Sequence, residues 1–207
     1  MIITFSILAA GLSRRFGSPK LIEKIEEKTI IVSTAENVIN SCNYPFVRSE
    51  KVLITGSYKD ILLSGIPDEK KSEFTIMENK HCENGISTSL NLAISYSMTV
   101  LSDGMLLYFG DMPFISPEFS KKILGVIIEN PRKIIRPIYR DIPGFPVYFP
   151  KKYFHMFMKL EGNQGARNII RENLHDFIPV KTDYENCTID IDSKNDLEKY
   201  KKQRNTE

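Results

Sequence analysis

Residues 2–20 read IITFSILAAGLSRRFGSPK, and this stretch decides the fold. Residues 2–8 are mostly β-branched, aromatic or aliphatic, which predicts a strand buried in a sheet. The residues that follow are small, hydroxylic or cationic: Ala9, Ala10, Gly11, Ser13, Arg14, Arg15, Gly17 and Lys20. Small residues let backbone N–H groups approach a phosphate, and arginine and lysine neutralise its charge. The loop therefore fits an anion site, with a surface loop of solvated cations as the alternative.

The composition is that of a globular protein that is not organised around nucleic acid. Of the 207 residues, 42% are hydrophobic and 26% are charged, which supplies enough apolar material for one core. The 28 basic and 26 acidic residues leave a formal net charge of +2. Such a balance excludes nucleic acid as the main partner and confines any anion site to a local patch.

Cysteine usage and hydropathy indicate a cytoplasmic protein. The three cysteines, Cys42, Cys82 and Cys187, are far apart and odd in number, so neither a disulfide framework nor a metal spacing follows. The apolar run at residues 2–8 is too short to cross a bilayer, and two arginines soon follow it. We interpret it as neither a signal peptide nor an anchor, and we expect no membrane partner.

The order of patterns along the first half predicts an α/β fold. Apolar runs predict further strands at residues 51–55, 74–77 and 104–110. Helices are predicted at residues 30–40 behind a Thr29 cap, at residues 58–63, after a Ser87 or Thr88 cap, and after a Ser116 cap with Pro117 in the first turn. This alternation indicates a single-domain, doubly wound, mostly parallel sheet over residues 1–207.

The second half of the chain adds a small antiparallel extension to this prediction. Residues 133–137 and 145–149 are predicted as an antiparallel strand pair attached to the sheet. Helices are predicted at residues 151–159, 166–173 and 196–202, and a short strand at residues 187–191. The aromatic side chains of the first of these helices are interpreted as core packing.

Asp111 follows the fully apolar stretch at residues 104–110, which is typical of a central strand buried on both faces. Open α/β sheets bind ligands at the carboxyl ends of their strands. The Asp111 carboxylate is therefore a candidate metal ligand, with an ordinary turn residue as the alternative. The sequence contains neither G-x-G-x-x-G nor the P-loop motif, so any nucleotide site uses another device.

Six segments, taken in chain order, resemble one known family. They are Leu8-Ala9-Ala10-Gly11 with Ser13, Arg15, Gly17 and Lys20; Asn79 with Gly85-Ile86-Ser87-Thr88-Ser89-Leu90; Gly110-Asp111-Met112-Pro113; Gly144-Phe145-Pro146-Val147; Gly162-Asn163-Gln164-Gly165-Ala166-Arg167; and Asp190-Ile191-Asp192. In this order they resemble the motifs of the MobA-like nucleotidyltransferases that act on molybdopterin. The resemblance covers nearly the whole chain.

This resemblance implies a reaction and a metal ion. A phosphate monoester on the acceptor would attack the α-phosphorus of CTP, and pyrophosphate would leave. Such a phosphate is already ionised near neutral pH, so no general base is required. Charge neutralisation is required, and Mg²⁺ supplies it with one or two carboxylate ligands. Asp111 and Asp192 are the expected ligands, with Asp190 as the reserve candidate.

The resemblance also implies the remaining site residues. Arg15, Lys20 and Asp111 are expected to be catalytic, with the two cations on the β- and γ-phosphates. The expected nucleotide-binding residues are Leu8, Ala9, Ala10, Gly11, Ser13, Arg15, Lys20, Ser87, Ser89 and Gly110. The expected acceptor-binding residues are Gly144, Phe145, Asn163 and Arg167.

Three positions affect which acceptor and which nucleotide are expected as substrates. Phe145 replaces the family's usual histidine and Asn163 its usual aspartate, both on the acceptor side. Ala10 stands where guanylyltransferases usually have a glycine, which favours CTP over GTP. The alternatives are GTP as the nucleotide, another phosphorylated acceptor, or a non-catalytic protein that holds molybdenum cofactor for a molybdenum hydroxylase.

Overall fold

The computed structural model describes residues 1–13 and 16–204. Its strands are β1 (Ile2–Ala9), β2 (Lys24–Ile25), β3 (Lys28–Thr29), β4 (Arg48–Thr55), β5 (Thr75–Glu78), β6 (Gly104–Phe109), β7 (Ile134–Tyr139), β8 (Ile142–Pro143), β9 (Val147–Pro150) and β10 (Phe177–Lys181). Its α-helices are α1 (Ile30–Ser41), α2 (Lys59–Ser64), α3 (Asp68–Lys71), α4 (Ile86–Thr99), α5 (Pro117–Glu129), α6 (Phe154–Phe157), α7 (Arg167–Glu172) and α8 (Lys194–Arg204). Across the described ranges, no helix has both the length and the apolar character needed to cross a bilayer.

The central sheet has the strand order β10-β7-β9-β6-β1-β4-β5, and β8 pairs with β7. Strand β1 runs parallel to β4 and β6, and β4 runs parallel to β5. Strand β9 is antiparallel to both β6 and β7, whereas β7 is parallel to β10. The predicted mostly parallel α/β sheet with an antiparallel extension is confirmed.

Strand β1 lies at the centre of the sheet because both of its faces are buried. Ile3, Phe5 and Ile7 pack in the core beneath α1 and α5. On the opposite face, Leu8 packs in a second core with residues of α4, α6 and α7. A strand without a solvated face belongs in the middle of a sheet. The loop after Ala9 therefore emerges near the middle of the sheet's carboxyl edge.

Two predicted helix starts are confirmed by their capping bonds. Thr29 Oγ1 accepts a hydrogen bond from the Val32 N–H at 3.4 Å at the start of α1. Ser116 Oγ accepts one from the Phe119 N–H at 3.2 Å, and Pro117 is the first residue of α5. Each cap satisfies a backbone donor that the first helical turn leaves unpaired.

The strand predicted at residues 187–191 is wrong. Residues Glu185–Thr188 form a 3-10 turn, and the strand in this part of the chain is β10. The backbone of the predicted segment bonds to separate loops, since the Phe145 N–H donates to the Cys187 carbonyl and the Ile191 N–H to the Asp111 carbonyl. These irregular partners replace a strand ladder.

Two other predicted helix boundaries also differ from the structure. Helix α4 begins after Gly85, so Ser87 and Thr88 lie in its first turn and neither is its cap. The helix predicted at residues 151–159 is a 3-10 turn followed by the single turn of α6. The predicted packing of its aromatic side chains is confirmed, because all three are buried: Tyr153, Phe154 and Phe157.

Gly85 generates a testable prediction, since it holds the start of α4 against a neighbouring loop. Its φ is +106°, and a Cβ there would lie 2.2 Å from the Gly162 carbonyl oxygen. We expect Gly85→Ala to lower the free energy of unfolding by at least about 2 kcal/mol, measured by urea denaturation, because both the backbone and the loop must shift. Gly165→Ala is the control, since an added carbon there has no atom within 4 Å. Equal losses in the two variants would contradict this role.

Candidate active site

A cleft of about 450 Å³ opens at the carboxyl edge of the sheet, beside the ends of β1 and β6. Most of the predicted site residues line it: Leu8, Ala9, Ala10, Gly11, Ser13, Lys20, Ser89, Asp111, Asn163 and Asp192. Its other walls include residues that were not predicted as site residues: Phe16, Cys82, Glu83 and Phe109. The cleft thus collects residues from five separate parts of the chain: residues 8–21, 82–89 and 109–111, together with Asn163 and Asp192.

Several predicted residues lie outside the lining of this cleft. They are Ser87, Gly110, Gly144, Phe145, Arg167 and the reserve metal candidate Asp190. Arg15, predicted to bind phosphate, lies outside the described residues.

The loop after β1 is held by its own hydrogen bonds and by a close contact with the end of β4. The Ser13 carbonyl accepts from the Phe16 N–H at 2.9 Å, and Ser13 Oγ accepts from the Lys20 N–H at 3.2 Å. A Cβ at Gly56 would lie 2.8 Å from the Ala10 carbonyl oxygen. Only glycine permits this approach. These contacts fix the point from which the Lys20 side chain enters the cleft.

Lys20 is bound between two aspartates. Its Nζ lies 2.7 Å from Asp111 Oδ2 and 3.0 Å from Asp192 Oδ1. Only 13% of the Lys20 side chain is exposed, so water screens these ion pairs less than it would on an open surface. Burial by itself lowers the pKa of Lys20, but the charges and hydrogen bonds of Asp111 and then Asp192 outweigh burial and raise it. The sequence analysis placed Lys20 on phosphate and the aspartates on metal, whereas the structure joins the three.

The Asp192 carboxylate reaches this position through backbone contacts of the segment that precedes it. The Ile191 N–H donates to the Asp111 carbonyl at 3.1 Å, and the Phe145 N–H donates to the Cys187 carbonyl at 2.7 Å. A Cβ at Gly144 would lie 2.5 Å from Cys187 Sγ, so the segment passes closely over this glycine. Gly144 thereby has a clear role in building the site, although it does not line the cleft.

The two aspartates fit a divalent cation. Both carboxylates already direct an oxygen at one positive group, the Lys20 ammonium, so both can bind the same cation. Partial desolvation, and then the charges of Asp111 and Asp192, raise the pKa of Asp190. Among the described residues, no three Asp, Glu, His or Cys side chains form a group that could hold a metal. A pair of carboxylates matches the one or two that Mg²⁺ takes from a protein when phosphates and water complete its shell.

Asn79 organises the opposite wall of the cleft, although the sequence analysis gave it no role. Its side chain is almost fully buried, and Nδ2 donates to Thr88 Oγ1 and to Ser89 Oγ, both at 2.8 Å. Its Oδ1 accepts from the His81 N–H at 3.0 Å. These bonds fix Ser89 at the cleft. The signal was present in the sequence, where Asn79 stood in one motif with residues 85–90.

Ser87 and Gly110 stabilise the backbone that surrounds the cleft. The Ser87 N–H donates to the Gly162 carbonyl at 3.1 Å, which ties α4 to the loop that contains Asn163. The Gly110 N–H donates to the Leu8 carbonyl, and the Gly110 carbonyl accepts from Thr34 Oγ1. These backbone groups are already paired within the fold.

Two of the predicted acceptor residues outside the lining, Phe145 and Arg167, are each connected to a residue that lines the cleft. The Phe145 ring packs edge-on against Phe109, a cleft residue, with centroids 4.9 Å apart. Asn163 lines the cleft, and Arg167 lies exposed four residues later at the start of α7. Phe145 therefore packs against a residue that lines the cleft, and Arg167 follows the loop that contains Asn163.

A family model described as the MobA-like NTP transferase domain matches residues 5–177. The chain belongs to this family. As a MobA-like NTP transferase it is a nucleotidyltransferase by family, and the resemblance found in the sequence is confirmed. The matched range includes Lys20 and Asp111 and stops before Asp192.

Curated relatives of this MobA-like NTP transferase carry two different names. The chain is 27% identical over 191 residues to the "Molybdenum cofactor cytidylyltransferase" of Escherichia coli (strain K12), covering 92% of this chain and 91% of that protein. It is 30% identical over 157 residues to a "Probable molybdenum cofactor guanylyltransferase" of Natranaerobius thermophilus, covering 74% and 70%. The crystal structure of Rv0371c from Mycobacterium tuberculosis H37Rv, 22% identical, covers 97% of each chain with a TM-score of 0.80. That structural likeness supports the fold.

The position of Lys20 generates a prediction about metal binding in the absence of nucleotide. Its ammonium competes with any cation for Asp111 and Asp192, so Lys20→Met should raise the affinity for Mn²⁺ by roughly threefold to tenfold. Electron paramagnetic resonance of free Mn²⁺ measures this affinity. Lys24→Met is the matched control, since Lys24 is exposed on β2. An unchanged or weaker affinity in Lys20→Met would contradict the competition.

Proposed function

We propose that residues 1–207 form one nucleotidyltransferase domain that transfers CMP from CTP to a molybdopterin-type phosphate monoester and releases pyrophosphate. The observation that carries the proposal is the Lys20 ammonium held between Asp111 and Asp192 in a cleft at the carboxyl edge of the sheet. This arrangement offers one group for an anion and two for a cation. A metal-bound nucleoside triphosphate presents both kinds of charge.

Ligand binding on this proposal is an exchange of ionic partners. Asp111 and Asp192 would hold Mg²⁺, which when bound supplies charge neutralisation to the triphosphate. Lys20 would leave the carboxylates and donate to the β- and γ-phosphates. Each charged group exchanges one opposite charge for another, so desolvation of the carboxylates and the ammonium is not left uncompensated.

The chain's own residues would then place and stabilise the reacting groups. Lys20 would stabilise the negative charge that develops on the leaving pyrophosphate, together with Arg15 as expected from the sequence. The backbone of Ala10 and Gly11 would support the nucleotide, and Ser89 would approach its base or ribose. No side chain needs to remove a proton, because the acceptor phosphate is already ionised near neutral pH.

CTP is proposed as the nucleotide because Ala10 occupies a position where guanylyltransferases usually have glycine, and because the Escherichia coli relative is named a cytidylyltransferase. GTP is the second candidate, because the Natranaerobius thermophilus relative is named a guanylyltransferase. A pyrophosphate-release assay with each nucleotide on molybdopterin separates the two. We expect CTP to be used with a kcat/KM at least about tenfold higher; equal or greater use of GTP would overturn the choice of nucleotide.

The proposed cellular setting is the cytoplasm, with a molybdenum hydroxylase as the recipient of the product. The cysteines Cys42, Cys82 and Cys187 are free thiols, which supports a reducing compartment. Mass spectrometry of the product distinguishes molybdopterin from another phosphorylated acceptor. Binding of CTP and Mg²⁺ without pyrophosphate release on any acceptor would favour a holding protein instead.

Removal of a metal-binding carboxylate should abolish most of the activity. We expect Asp111→Asn to lower kcat by at least about 10²-fold, because a preorganised negative group at the reaction centre is lost. Pyrophosphate release under saturating CTP measures the effect. Asp183→Asn, at an exposed acidic residue, is the matched control and should keep normal turnover. Near-normal turnover of Asp111→Asn would contradict the assignment.

A further inference from the structure

Arg136, on β7, has a fixed and half-buried guanidinium. Its Nε donates to the Gly144 carbonyl at 2.9 Å and its Nη2 to the Pro143 carbonyl at 3.4 Å. The guanidinium carbon lies 5.0 Å from the centre of the Phe145 ring, close enough for a cation–π contact. These contacts hold the group in one orientation but bring no negative charge. Arg136 forms no ion pair within the described ranges, which leaves several N–H donors for an outside partner.

A second arginine lies on the same side of the sheet. Ile134 is two residues before Arg136 and shares its face, and it packs in one core with Ile169 and Ile170 of α7. Arg167 begins that helix and, in the described part of the chain, has no ion-pair partner either. Burial first, and then the positive charge of Arg167, lower the pKa of Arg136 to about 10, so the Arg136 guanidinium stays charged at neutral pH.

Two like charges without a counter-ion are unfavourable, and an anion bound between them would relieve the repulsion. Arginine also binds oxyanions with two hydrogen bonds at once, which suits a fixed guanidinium better than a flexible lysine. The pair therefore has the chemistry of an anion site. Phe145, under the guanidinium, adds an apolar wall.

The arginines are connected to the cleft by two routes. The Phe145 ring below Arg136 contacts Phe109, and Phe109 lines the cleft. Arg167 follows Asn163, which also lines the cleft. Strands β7 and β6 are separated by β9, so Arg136 is displaced sideways from β6 by two strand spacings, roughly 10 Å. A phosphate bound at Lys20 cannot also bind at Arg136.

We infer that Arg136 and Arg167 form a subsite for a second anionic group of the acceptor, remote from the phosphate that reacts. The inference rests on the proposed function, and it restricts the acceptor to phosphate monoesters that carry another negative group, an oxyanion or a thiolate. Nucleotide binding does not require this subsite. Arg136 and Arg167 are thus specificity residues for the acceptor.

The first test detects anion binding without any turnover. Inorganic sulfate is titrated into the protein saturated with CTP and Mg²⁺, and the arginine Nε–Hε signals are followed by ¹⁵N NMR. Saturable shifts of the Arg136 and Arg167 signals, absent with equal ionic strength of chloride, are expected. Arg171 is exposed on the same helix and is the internal control. No shift, or an equal shift of Arg171, would overturn the subsite even if the proposed transfer reaction is correct.

The second test assigns the subsite to the acceptor. With molybdopterin as the acceptor, Arg136→Ala and Arg167→Ala should each raise the acceptor KM roughly tenfold or more, while kcat and the CTP KM stay within about twofold. Arg136→Lys should recover only part of the loss, and Arg171→Ala should behave as wild type. Because Arg167 is exposed, its variant keeps the test decisive if Arg136→Ala folds poorly. Unchanged acceptor KM in Arg167→Ala, or equal rises for CTP and acceptor, would overturn the inference.

Discussion

The shared ion pair of Lys20 with Asp111 and Asp192 is the interaction on which the site depends. Two carboxylates held this close would repel each other without a cation between them. In the protein alone the lysine supplies that cation, and it is largely screened from water. The same three groups suit a metal-bound triphosphate. Its metal can replace the lysine as the cation beside the carboxylates, and its phosphates can replace the carboxylates as the anions beside the lysine. The ion pair therefore holds the two carboxylates together and remains exchangeable.

Close backbone approaches at three glycines bring these groups together. Gly56 lies closely against the loop after β1, Gly85 against the loop before α7, and Gly144 against the segment that leads to Asp192. In each case a Cβ would lie within 3 Å of a neighbouring atom. The carboxyl edge of the sheet is thus assembled by loops from distant parts of the chain, while β1 and β6 supply a rigid base between two cores.

The sequence predicted most of the sheet because burial patterns are local. The apolar stretch before Asp111 and the run after Met1 need no distant partner to be recognised as central strands. The partners of Lys20 are 91 and 172 residues away, so the spacing of residues along the sequence could not predict these contacts. The segment before Asp192 was misassigned as a strand because its backbone bonds to irregular loops. Arg136 was overlooked because one cation in a strand pattern does not reveal its lack of a counter-ion.

The exchange of ionic partners is tested most directly by a crystal structure with CTP and Mg²⁺ bound. The account predicts that Lys20 Nζ leaves both carboxylates and contacts the β- and γ-phosphates, while Asp111 and Asp192 hold the cation. The triphosphate would lie in the cleft beside the loop after β1. A structure in which Lys20 remains paired with both aspartates, and the metal and triphosphate bind elsewhere, would contradict it.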